Sequence, residues 1–177
     1  MHFYLRIFLH SIFILLLTVF QISFIQVLPD WFHELQLFLV VLIFVLSLYG
    51  WKFALFWGGV IGGVMDIYSF SFFGLHLLSL TAATLFIYLL SYNFFTNRSL
   101  YSFLALTIFA TLFYEFFLRI IYYIEQTFYG DAPLFLLQEY FWSMLGKEIL
   151  VNMAAMLLLF YIFNYVSNRF RPVFIER

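Results

Sequence analysis

Cysteine is absent from the 177 residues, and charge, proline and glycine are all scarce. Without cysteine there can be no disulfide, no thiolate nucleophile and no cysteine metal site. Charged residues make up 10% of the chain. An average soluble domain carries roughly 25%, so an ordinary water-facing surface is excluded. A formal net charge of -1 leaves no basic footprint for nucleic acid. The four histidines, His2, His10, His33 and His76, are scattered without paired spacing. No H-E-x-x-H, nucleophile elbow or phosphate-cradling loop is present. The sequence therefore points to no metal, no cofactor and no catalytic residue, and the expectation is a protein that is not an enzyme.

What the chain does have is apolar bulk. It is 66% hydrophobic, with 28 Phe and 13 Tyr, and its mean hydropathy is +1.05. Such aromatics suit lipid-facing surfaces and interfacial belts. The composition predicts an all-α integral membrane protein forming one polytopic domain over residues 1–177. At the N-terminus Arg6 precedes an apolar run, Ile7 to Leu28. That run exceeds the roughly 7–15 residues of a cleavable signal core and lacks an A-x-A-like site. It reads as a retained first helix.

Six transmembrane helices are predicted, at about 7–28, 35–49, 53–67, 74–94, 100–123 and 147–166. Pro29-Asp30 ends the first, because proline cannot continue a helix. Gly50-Trp51-Lys52 and "TNRS" at 96–99 make tight polar turns. Spans two and three are short: about 15 residues rise only about 22 Å against a hydrocarbon core of about 30 Å. They either extend into flanking aromatics, sit in thinned bilayer, or leave span three partly re-entrant; continuous helices are the expectation. The connection at about 124–146 is the only sizeable one. Its run "LFLLQEYFW" is too short to cross and is expected to lie along the interface as a short amphipathic helix, with a partner surface as the alternative.

Basic residues set the orientation. With the N-terminus in the cytoplasm, Arg6, Lys52, Arg98, Arg169, Arg171 and Arg177 all fall inside, and only Arg119 and Lys147 do not. This fits the positive-inside rule with both termini cytoplasmic.

Four of the eight glycines fall within six residues of the third span. Gly58-x-x-x-Gly62 and Gly59-x-x-x-Gly63 are overlapping small-residue motifs on adjacent stripes of one helix. In lipid, such stripes let helix backbones approach closely. The contact is either internal or with another subunit. Asp66 lies four residues beyond Gly62 on the same face. It reads either as a cap on nearby backbone or as a buried acid needing a partner, with Arg119 the candidate. Glu115 and Arg119 stand at i and i+4 in the favourable order, an intramembrane ion pair that reads as internal and structural, with a polar contact to a partner or a substrate path as the alternative. Asn152, one turn into the last span after Lys147 and Glu148, reads as a packing polar group that bonds across helices, as do Gln21 and Gln26 in the first.

The stretch "GWKFALFWGGVIGGVMDIYSFSFFGLHLLSLTAATLFIYLLSY" resembles the central motif of the MreD family, the rod shape-determining membrane proteins of bacteria. The matching positions are Gly58 or Gly59, Gly62, Gly63, Asp66, Gly74 and His76. The flanks agree as well: two spans before, two after, and a basic tail. The resemblance implies a non-enzymatic component of the cell-elongation machinery in the bacterial cytoplasmic (inner) membrane, multi-pass and active in peptidoglycan synthesis and rod shape. It implies an MreC-type membrane protein as partner, alongside MreB, RodA and a class B penicillin-binding protein, with lipid around it and homo-oligomerisation open. That family also looks like the six-helix S component of energy-coupling-factor transporters, so the fold expected is an S-component-like bundle. The alternative function is then a vitamin-like small-molecule binding subunit. Those components are expected to dock through small residues in the first helix, whereas "RIFLHSIFILLLTVFQISF" has neither alanine nor glycine.

Overall fold

The computed structural model describes residues 2–25, 32–69, 72–95, 99–129 and 139–170, with 2–10, 128–129, 139–140 and 166–170 described as backbone only. These residues form six α-helices: α1 His2–Ser23, α2 Leu37–Tyr49, α3 Trp51–Tyr68, α4 Leu75–Asn93, α5 Leu100–Tyr129 and α6 Glu139–Phe170. The apolar runs fold as helices because each closes its own backbone hydrogen bonds, which a lipid environment demands.

Helices α2 and α3 turn on Gly50, whose φ of 85° and ψ of 175° suit a residue without Cβ. Gly74, at φ 110°, plays the same part at the start of α4. The segment expected as span three forms one continuous helix of 18 residues, about 27 Å long.

The boundaries predicted for the first helix and the last two need correction: α1 runs from His2 to Ser23 rather than over about 7–28. Helix α5 continues past Tyr123 to Tyr129, and α6 starts at Glu139 rather than near Lys147. Backbone hydrogen bonding continues after the apolar run has ended, whereas the expected boundaries followed apolarity. Residues 139–142 of the expected interfacial helix are therefore the first turn of α6; its remainder, 134–138, lies outside the described residues, as do Gln26, Pro29-Asp30, most of "TNRS", and the tail after Phe170.

Helix α2 sits at the centre. Phe38, Leu39, Val40, Leu42, Ile43, Val45 and Leu46 are all buried, so the helix is apolar around most of its circumference, as a core helix must be. The other five helices all touch it, and the most extensive helix pair is α3 with α4. Hydroxyls inside the bundle are satisfied locally: Thr18, Ser79, Thr84, Thr107 and Thr111 each donate to the carbonyl four residues earlier.

The outside is apolar too. Leu16, Leu89, Tyr101, Leu150 and Leu158 are all exposed. Among the described residues three helices are long and apolar enough to cross a membrane, Leu75–Asn93, Leu100–Thr127 and Phe141–Tyr165, with only 33%, 33% and 22% of their spanning windows buried. Surfaces of this kind require lipid.

Candidate functional site

The glycine cluster is resolved into two unequal stripes. A Cβ added to Gly62 would stand 2.5 Å from Leu77 Cα and 2.8 Å from both His76 O and Leu77 N. All three are backbone atoms of α4, and they cannot swing aside. At Gly58 the added atom would meet Thr84 Oγ1 at 2.8 Å and Leu80 O at 3.5 Å. Gly58 and Gly62 thus bring α3 and α4 into backbone contact. Gly59 and Gly63 lie beside that contact, where an added Cβ would find only side-chain atoms, Thr81 Cγ2 at 3.8 Å and Leu77 Cδ1 at 3.6 Å.

Asp66 completes the contact. Its Oδ2 accepts from the backbone N–H of Gly74 at 2.9 Å and of Leu77 at 3.1 Å, and its Oδ1 accepts from His76 at 2.7 Å. A helix begins with four N–H groups that have no partner within it, and its N-terminus favours negative charge. Asp66 meets both needs of α4 from the end of α3. Of its two readings, cap or partner of Arg119, the structure shows the cap, and of the following helix rather than its own. Arg119 instead pairs with Glu115 (Nη2–Oε2 3.7 Å) and lies over the Phe141 ring, 4.1 Å from its centroid.

A second helix start is held at the same end of the bundle. Helix α2 has 13 residues, about 20 Å, and its first turn lies within the protein. Asn152 Oδ1 accepts from the Gln36 N–H at 2.8 Å, and Gln21 Oε1 accepts from the Leu37 N–H at 3.0 Å. Gln21 Nε2 also donates to Leu35 O at 2.6 Å. Asn152 is fully buried, and its Nδ2 donates to Thr111 Oγ1 at 3.1 Å. Buried backbone groups outside a helix are thus satisfied by side chains.

The two starts are tied together through α5. His76 Nδ1 hydrogen-bonds the Tyr114 hydroxyl at 2.9 Å, and Gln36 Nε2 donates to Glu115 Oε1 at 2.7 Å. Asp66, His76, Glu115, Arg119 and Asn152 therefore belong to one polar region, while Gly59 and Gly63 stand apart from it. A small cavity of about 180 Å³ opens among Gln36, His76, Tyr114, Glu115 and Glu148. Among the described residues no group of three His, Asp or Glu is placed to hold a metal ion.

Sequence reasoning missed Gln36 and Tyr114 and gave Glu148 no role. Part of the signal was available. Thr107, Thr111, Glu115 and Arg119 recur every four residues along α5, and Glu148 and Asn152 do so on α6. That spacing puts each set on one helix face. Gln36 carries no such pattern.

Fold and site together define an all-helical membrane protein whose buried polar groups hold helix ends. Comparison of the chain with family models, curated proteins and solved structures finds no match.

Proposed function

We propose that this chain is a MreD-like, non-enzymatic scaffold or regulator of the bacterial cell-elongation machinery, working in peptidoglycan synthesis and rod shape. In this reading all six helices cross the cytoplasmic membrane, both termini are cytoplasmic, and the polar region lies near the outer face. The chain acts with an MreC-type protein, alongside MreB, RodA and a class B penicillin-binding protein. The short α2 is accommodated because Leu35 and Gln36, which precede it, have their backbone groups met by Gln21 and Asn152.

The observation that carries the reading is how the motif residues are used. Gly58, Gly62, Asp66, Gly74 and His76 form a single clasp between α3 and α4, and His76 ties that clasp to α5. Residues arranged to fix architecture suit a scaffold. The test is co-purification of an MreC-type protein with the tagged chain from solubilised membranes, together with depletion. The partner is expected to co-purify, and depleted cells are expected to round up. Gly59→Leu, on the half-buried stripe beside the clasp, asks whether that edge meets the partner. No co-purification, with normal rod shape after depletion, contradicts the proposal.

A further inference from the structure

The cavity beside the start of α2, to which all six helices contribute, contains hydrogen-bond acceptors that the clasp does not use. Among the described residues, one carboxylate oxygen of Glu148, a residue 2% exposed, and the amide oxygen of Gln36, 9% exposed, are buried without a donor. Both residues line the cavity, with Glu34 and Glu115 beside them. Glu115 is already engaged, by Gln36 Nε2 and by Arg119. The helix starts cannot supply the missing donors either. The N–H groups of Gln36 and Leu37 go to Asn152 and Gln21, and those at the start of α4 go to Asp66. A buried carboxyl group without a partner is expensive, and an unmet buried acceptor adds to the cost.

We infer that this cavity binds a compact organic cation through an N–H-bearing head, an ammonium or a guanidinium. The head donates to Glu148 and to the Gln36 amide oxygen, and Glu34 contributes negative charge at the half-buried rim. A bare metal ion is a poorer match, since no trio of ligating side chains is grouped among the described residues. The volume of about 180 Å³ limits the head to a few heavy atoms; drug-sized pockets start near about 300 Å³. Phe38, Met65, Leu118 and Met144 give the cavity apolar walls, suited to a short alkyl stem. The head can come from a free amine or from an ethanolamine lipid.

Calorimetric titration of the purified full chain in detergent tests the inference without reference to the scaffold reading. Ethylammonium and methylguanidinium are the probes; tetramethylammonium at equal ionic strength carries the charge without N–H donors. Saturable binding of at least one probe is expected, about tenfold or more tighter than tetramethylammonium, equivalent to about 1.4 kcal/mol. Glu148→Gln is expected to weaken it about tenfold or more, and Glu34→Gln, at the rim, by about threefold. The rim variant carries the test if the buried one does not fold. Nanodiscs separate the sources: if the lipid head is the occupant, added ethylammonium binds in phosphatidylcholine discs but not in phosphatidylethanolamine discs; a free-amine site binds it in both. The inference is overturned by no saturable binding in detergent and phosphatidylcholine discs, by equal binding of tetramethylammonium, or by unchanged affinity in the folded variants.

Discussion

Two glycine stripes run side by side on α3, one residue apart, and the molecule treats them differently. Gly58 and Gly62 face α4 with no room for a methyl group near Gly62, whereas Gly59 and Gly63 have ordinary van der Waals space. A repeated G-x-x-x-G pattern is thus one necessity and one option. What separates the stripes is the rotation of α3 about its axis, and Asp66 fixes that rotation from the same face by gripping the first turn of α4.

The comparison is broken most severely at Gly62. Gly62→Ala would place Cβ against the backbone of His76 and Leu77, so α3 and α4 must separate. A loss of about 3 kcal/mol is expected, at the upper end for overpacking, read as a large fall in melting temperature in detergent. Asp66→Ala comes next. It leaves three backbone donors without their acceptor and is expected to lose about 2 kcal/mol, with Asp66→Asn losing less. Gly58→Ala should be milder, about 1 kcal/mol, because the atom in its way is the Thr84 hydroxyl. Thr84→Ala in the same chain should recover most of that loss, a coupling that a double-mutant cycle measures. Gly59→Ala and Gly63→Ala sharpen the contrast from the other side. With space available, they are expected to be neutral or to gain up to about 1 kcal/mol from helix propensity.

Much of this architecture can be read from the residues. Apolar runs and polar turns locate α2, α3 and α4 to within two positions, whereas α1 begins and ends about five residues early and the expectation fails at the far end of α5 and the start of α6. There, hydrogen bonding carries the helices beyond the apolar segment. Close packing follows from glycine density alone, but the choice between the stripes does not, since both have the same spacing. Asp66 was open between a cap and a pair with Arg119 for a similar reason. Its partners are backbone groups, which look alike in every sequence, and the turn before Gly74 brings them to it. Asn152 is legible as a cross-helix hydrogen bonder, yet its role in starting α2 depends on Gln36 reaching it from 116 positions away. Glu148 is visible as an acid near a span, but its lack of a donor is a property of the assembled cavity.

One paired measurement tests the clasp between α3 and α4 most directly. Gly62→Ala and Gly63→Ala, adjacent residues with the same chemical change, are purified in the same detergent and melted side by side. The clasp predicts a large drop for Gly62→Ala and none for Gly63→Ala. Equal melting temperatures for the two variants, or a larger drop at Gly63, would contradict it.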